Sequence, residues 1–223
     1  MKKIFFTLII LFSSTLVASK VAVAIKVKGK ASILYKGNDT NQILQSGSPL
    51  SNQDRIITGK DGFVMIMYLD DKTVVKILGN STLDILGDRS GKTINKSINI
   101  KYGKIAANVK PQDGKDFTIS TPTSVASVKG TELAINSDPS RGDSFTLIEG
   151  LIEITNSVTG ESTDVQQGET AVSTPEGSLE VSKTSEEDLD AFEEASIDIP
   201  SQELKFEVED NNGNLKEIII KFE

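Results

Sequence analysis

Phe63-Val64-Met65-Ile66-Met67-Tyr68-Leu69 is a strong apolar run, and Asp70-Asp71-Lys72 separates it from Thr73-Val74-Val75-Lys76-Ile77-Leu78. Both segments are short, rich in β-branched or aromatic residues and bounded by polar turn residues, which favours strands over a helix. Together they predict a β-hairpin. Upstream, Ala31-Ser32-Ile33-Leu34-Tyr35 ends at the turn cluster Lys36-Gly37-Asn38-Asp39. Downstream, Phe145 to Glu149 turning at Gly150 into Leu151 to Thr155 predicts a second hairpin. Gly59, Gly62, Gly79, Gly87, Gly91, Gly103 and Gly114 punctuate the stretch between. Turn signals roughly 8–12 residues apart point to an all-β domain, an antiparallel sandwich or a stacked β-roll of about twelve or more short strands. The pattern does not separate these two topologies.

The pattern changes after Ser182. Ser185-Glu186-Glu187-Asp188 has the form of a capping box, with Ser185 at the N-cap. Leu189 and Phe192 share a helical face, so a short acidic helix through Ala195 is expected, and Pro200 forbids its simple continuation. Glu203 to Glu209 and Leu215 to Phe222 flank Asp210-Asn211-Asn212-Gly213-Asn214, a hairpin signal. Leu204, Phe206 and Val208 alternate on one strand, and Ile218, Ile220 and Phe222 on the other. A lone hairpin is marginal in water, so it should dock on the main sheet or on a partner.

At the N-terminus, Lys2 and Lys3 precede an apolar stretch from Ile4 to Phe12 and the small polar residues Ser13-Ser14-Thr15. This is the order of a secretory signal peptide and is too short for a membrane span, which needs about 20 residues. Cleavage is placed after Ala18, because Val21, Val23, Ile25 and Val27 already alternate as a strand. Ala24 is the competing site, and a retained anchor the competing reading. The organisation expected is 1–18 signal peptide, 19–182 β domain, 183–200 acidic linker with a short helix, and 201–223 β-hairpin.

The chain carries 24 basic and 32 acidic residues, a net charge of −8. Loss of Lys2 and Lys3 with the leader takes it to −10. Nucleic acid and anionic membrane surfaces need clustered Lys and Arg, so neither is expected as partner. Cysteine and histidine are absent. This removes disulfides, cysteine lipidation, Ser-His-Asp and Cys-His catalysis, and the ordinary zinc and copper sites. No cofactor is assigned. Asp70 with Asp71, and Asp188 with Asp190, are carboxylate pairs by proximity alone, each in a turn or an acidic run. Asp210 to Asn214 opens like a calcium loop, but Lys221 stands where the closing glutamate belongs. Arg141-Gly142-Asp143 is an adhesion tripeptide, and Pro139 and Gly142 make a turn a sufficient reason for it. Phe63, Phe117 and Phe145 are read as core. A sugar-binding face would need exposed Tyr35, Tyr68 or Tyr102.

The block Thr121-Pro122-Thr123-Ser124-Val125-Ala126-Ser127-Val128-Lys129-Gly130-Thr131-Glu132 remains. Pro122 suits a strand entrance, Val125 and Ser127 should face one side and Ala126 and Val128 the other, and Gly130 permits a bulge or close approach. The block resembles the central motif of the FecR domain family. Gly47-Ser48-Pro49-Leu50-Ser51-Asn52-Gln53-Asp54-Arg55-Ile56-Ile57-Thr58-Gly59 resembles its early motif, with Asn52-Gln53-Asp54 replacing the usual glycine-aspartate. Asp61-Gly62-Phe63, Asp70 to Thr73, Asn80-Ser81-Thr82-Leu83, Glu149 to Ile154 and Gln167 to Val172 follow in family order. Lys129 stands where the family carries arginine, which keeps the charge and loses the planar fork.

The resemblance implies a periplasmic, non-catalytic domain of a signal transducer. The N-terminus reads as an export signal, so the resemblance implies the extracytoplasmic domain alone, without the family's cytoplasmic anti-sigma segment. The expected partner is another envelope protein, met through Thr121, Pro122, Lys129, Gly130, Thr131 and Glu132, with Lys129 facing the partner. The alternatives are a structural or cell-wall-binding envelope protein and a carboxylate-dependent hydrolase. The expected location is the periplasm, with the cell surface or the medium as alternatives.

Overall fold

The structure, a computed structural model, describes residues 19–111 and 117–189, together with the backbone strands of the C-terminal pair. The leader 1–18, Gly114, the segment 190–202 and the loop 210–214 lie outside the described residues, so the signal peptide, Asp190 and the calcium-like loop rest on sequence alone.

Seventeen strands join one open hydrogen-bonded network arranged as two layers over a shared core. The front layer runs β4 (Pro49–Ser51), β1 (Lys20–Lys28), β6 (Phe63–Tyr68), β7 (Val74–Ile77), the second half of β9 (Thr93–Asn108), β12 (Glu132–Asp138), β13 (Gly142–Glu149), β16 (Glu169–Ser173) and β17 (Leu179–Lys183). The back layer runs β3 (Gln42–Ile43), β2 (Ala31–Leu34), β5 (Asp54–Thr58), β8 (Thr82–Ser90), the first half of β9, β10 (Phe117–Ser120), β11 (Ser124–Val128), β14 (Leu151–Asn156) and β15 (Ser162–Gln166).

The long strand β9 belongs to both layers. Through Tyr102 it pairs with β8, and from Gly103 onward it pairs with β12. Gly103 makes the corner at φ +108, and a Cβ there would sit 2.3–2.5 Å from Ser81. No L-residue fits such a place without moving its neighbour. Every pairing is antiparallel except β9 with β10, where Thr118 lies opposite Ser97 in a parallel register. The reason is the connection after Asn108: it carries the chain from the front layer to the back, so β10 enters beside β9 in the same direction.

From β10 on, the chain forms hairpins that alternate between layers: β10–β11 behind, β12–β13 in front, β14–β15 behind, β16–β17 in front. The hairpin expected at 63–78 is present, with Met67 opposite Val74. The one expected through Gly150 is not. Its strands β13 and β14 lie in opposite layers and do not pair. Phe145 and Leu147 enter the core from the front, Ile152 and Ile154 from the back, so Gly150 turns the chain over the core rather than alongside it.

Inward residues alternate along each strand: Ile56, Leu83, Ile85, Ile98, Phe117 and Ile119 from the back meet Ile66, Tyr68, Ile77, Leu133, Ile135 and Phe145 from the front. All are at most 1 % exposed. Burying a side chain of this size contributes about 1.5–3 kcal/mol. Tyr68 stacks edge-on against Phe117 at 5.7 Å and 76°.

Ser185 caps the helical turn 186–189 as predicted: its N–H donates to Asp188 Oδ2 at 2.9 Å, and its Oγ accepts from Asp188 N at 3.3 Å. β18 (Glu203–Glu209) and β19 (Leu215–Lys221) pair antiparallel, Leu204 opposite Ile220 and Phe206 opposite Ile218, as a two-stranded sheet of their own.

Candidate functional site

The motif Thr121–Glu132 is one complete traverse of the stack, a turn at one end, β11 along the back layer, and a corner at the other end. In the turn, Thr121 Oγ1 accepts from Ser124 N at 3.0 Å and Thr121 N donates to Ser124 O at 2.8 Å. Pro122 is exposed at the tip, where no donor is needed. Thr123 turns inward. Its N–H donates to Asp143 Oδ2 at 3.0 Å, and its hydroxyl bonds the same Asp143 oxygen and Ser173 O. Thr123 O accepts from Ser157 N at 2.8 Å. Asn156 Nδ2 donates to Ser173 Oγ at 2.8 Å and to Thr174 O at 3.2 Å. Strand ends from both layers thus meet in one buried polar joint. Asp143 and Asn156 are fully buried. Asp143 Oδ1 has no hydrogen-bond partner, which makes this carboxylate dependent on the two bonds to its other oxygen.

The adhesion reading of Arg141-Gly142-Asp143 fails on the same fact, because a receptor cannot reach Asp143. Arg141 is committed locally, with Nε 2.7 Å from Asp138 Oδ2. The side chain and backbone of Ser140, then Arg141, hold the Asp138 carboxyl well below the usual carboxylate range.

Along β11, Ala126 and Val128 are buried and Val125 is exposed, as the alternation predicted. At the corner, Gly130 (φ +68) lies against Pro111, and a Cβ there would stand 3.2 Å from the proline ring. Thr131 is buried, and its carbonyl accepts from Val109 N at 2.8 Å. Glu132 is half-buried, opposite Asn108 and Glu149. Lys129 is exposed. The register Val128 opposite Ile152 brings Lys129 beside Leu151, an exposed hydrophobic. Of the six residues singled out in the sequence, Thr121 and Thr131 are therefore inside, and Pro122 and Lys129 stand at opposite ends of the strand. Leu151, which the sequence reading passed over, lies next to Lys129. Its signal was an apolar residue directly after Gly150.

Asp70 and Asp71 are not a free carboxylate pair. Lys96 Nζ lies 2.7 Å from Asp70 Oδ2 and 2.8 Å from Asp71 Oδ2, with Lys96 itself buried. Asp70 Oδ2 also accepts from Ile94 N at 2.9 Å, and Asp71 Oδ1 from Thr73 N. The ammonium stands 5.8 Å from the Tyr68 ring centroid. The cluster ties the β6–β7 turn to β9, and Lys96, the cation that makes it, was not anticipated. Tyr68 corrects the sugar-platform expectation: it is fully buried and donates to Ser97 O at 3.0 Å. Burial, then Asp70 and Asp71, hold its hydroxyl protonated far above the usual tyrosine range. Tyr102 is exposed, whereas Tyr35 is half-buried beside an open groove shared with Arg55, Gln53 and Asp84. Burial, then Asp54, raise the Tyr35 hydroxyl.

Across the outer side of the back layer, one register row reads Leu34, Arg55, Asp84, Asn99, Ser120, Val125, Thr155 and Ser162. Arg55 grips Asp84 bidentately at 2.6 and 3.2 Å. The hydrogen bond it donates to Asp84 raises the Arg55 guanidinium further. Among the described residues no group of three or more His, Cys, Asp or Glu is placed to hold a metal ion. Among the same residues no helix is long and apolar enough to cross a membrane.

The fold and its joints define an open two-layer β stack in which the turns of the central motif are structural corners. The profile of the family described as FecR protein matches residues 54–153. Two crystal structures of a candidate anti-sigma factor from Parabacteroides distasonis ATCC 8503 have a similar fold. One, at 2.50 Å, is 14 % identical with a TM-score of 0.53; the other, at 1.65 Å, is 15 % identical with a TM-score of 0.51. Each match covers 68 % of this chain and 66 % of that protein, so this chain spans just under two thirds of its length. No curated protein matches by sequence.

Proposed function

We propose that the chain is an exported, non-catalytic module of the bacterial envelope that binds another envelope protein and takes part in signal relay. The observation that carries this reading is the FecR match across 54–153, the middle of the β stack. The fate of the acidic pairs agrees with it. Asp70 and Asp71 are consumed by Lys96, and Asp143 by Thr123, in joints that hold strands together. Likeness to a candidate anti-sigma factor points toward relay. The contact surface assigned here is the corner where Lys129 and Leu151 stand side by side, a charge next to an exposed aliphatic side chain.

The test is capture from detergent-solubilised envelope with residues 19–223 as bait, alongside Lys129→Glu. One dominant membrane protein, lost in the variant, sustains the reading. No protein partner, or capture indifferent to Lys129→Glu, overturns it and directs attention to co-sedimentation with purified cell wall.

A further inference from the structure

Val23, Ile25, Phe63, Met65 and Met67 form a second apolar cluster, 0–6 % exposed, on the side of β1 and β6 that faces away from the core. Among the described residues, the hydrophobics packed against it are Leu69 and Val74. Both belong to the same layer, beside the cluster rather than above it. Leu78 and Ala106 continue the apolar surface across β7 and β9, each at most 6 % exposed. Lys76 stands among them half-buried, its ammonium disfavoured by burial. Left open, five such side chains would make a contiguous apolar patch of a few hundred Å², the size of the largest patch on a typical soluble monomer, which often marks a contact surface. The burial arises within a single chain, so a second copy does not account for it.

We propose that the hairpin β18–β19 is the cover of this face, laid across β1, β6 and β7. The hairpin needs such a surface as much as the surface needs it, since two strands are marginal alone. Its register sets Leu204 against Ile220 and Phe206 against Ile218, a paired apolar row on one face. The connection reaches. From β17 to β1 the front layer is seven strand steps, about 34 Å at about 4.8 Å each. Residues 190–202 span up to about 43 Å when extended. The leader 1–18 is another segment that could lie there. It is set aside on the export reading proposed above, under which it is removed.

Cysteine is absent from the chain, so engineered pairs report position directly. Met65→Cys is combined in the full chain with each of L204C, F206C, I218C and I220C, and the oxidised protein is examined by intact mass. Lys76→Cys, on the same face and half-exposed, replaces Met65→Cys if the latter impairs folding. Ser120→Cys, on the outer side of the back layer, is the control. The expected result is an intramolecular disulfide in at least one Met65 or Lys76 pair and in none with Ser120. No disulfide in any pair, or disulfides only between two chains, overturns the proposal. So does a bond from Met65→Cys to Leu8→Cys in the leader with none to the hairpin. The N-terminal mass of the envelope-purified chain reports separately whether the leader is removed, so a failure of export is distinguishable from a failure of the cover.

Discussion

The two outer faces of the stack are built on the same pleat and have opposite chemistry. Outside the back layer, the row from Arg55 to Ser162 is polar except for Val125, and half-exposed to exposed. Outside the front layer, over β1 and β6, the corresponding positions are Val23, Ile25, Phe63, Met65 and Met67, all buried. Inward positions are mainly apolar in both layers, with Lys96 the buried cation on β9, and they decide the fold. Outward positions decide what else must sit against it, and only the front layer makes that demand.

Met65→Ala is the substitution that tests this difference hardest. Met65 is fully buried on a face that looks away from the core. If that face is covered, truncation costs about 2–5 kcal/mol, as for a core methionine. Ser120→Ala on the opposite outer face should fall within about 0.5 kcal/mol of the parent. Urea denaturation of the two variants measures both. Equal, small effects would mean that the front face is as open as the back.

Lys76→Met gives a pH-dependent version of the same contrast. Burial lowers the Lys76 ammonium, while Glu132 pulls the other way. A lowered lysine binds fewer protons in the folded state than in the unfolded one. Its charge therefore subtracts stability at neutral pH, and the penalty disappears as pH rises toward the ordinary lysine value of 10.5. The substitution should raise Tm at pH 7, by an amount that shrinks toward pH 10.5. Lys101→Met, at the partly exposed end of the Arg55–Asp84 pair, should show no such gain.

Much of this was legible in the sequence, and the rest was hidden for identifiable reasons. Strand content followed from alternation and spacing, and the FecR resemblance followed from motifs in order. Gln53 was visible as a residue standing in the place of a glycine, and it adopts φ +72, the conformation a glycine would take. Gln53→Gly should accordingly be neutral to stabilising by about 1 kcal/mol, since left-handed strain of about 1–2 kcal/mol is offset in part by unfolded-state entropy. A clear loss of stability in denaturation would mean that the Gln53 side chain contributes more than its backbone costs. The layer change at Gly150 was not legible, because a corner and a hairpin turn use the same residue types and only the pairing partners distinguish them. The double-sided burial of β6 was half-legible. Its run from Phe63 to Leu69 does not alternate, which is the pattern of a strand covered on both faces. The joint at Asp143 could not be read, because its members Thr123, Asn156 and Ser173 are scattered over fifty residues and meet only through the stacking of hairpins.

The smallest expected effect lies on the back face and sharpens the contrast from the other side. Arg55 and Asp84 make the best-formed ion pair there, bidentate at 2.6 and 3.2 Å, yet the Arg55 side chain is 39 % exposed. Exposed pairs lose most of their Coulomb energy to solvent, so Arg55→Ala should cost about 0.2–1 kcal/mol. Half a molar salt should erase much of that difference, because the Debye length then falls below about 8 Å. The same salt should leave the Met65→Ala penalty in place, since apolar burial carries no charge to screen. A salt-insensitive Arg55 penalty would mean that the aliphatic stem, packed toward the groove beside Tyr35, contributes more than the guanidinium, and that the back face too is partly an apolar surface.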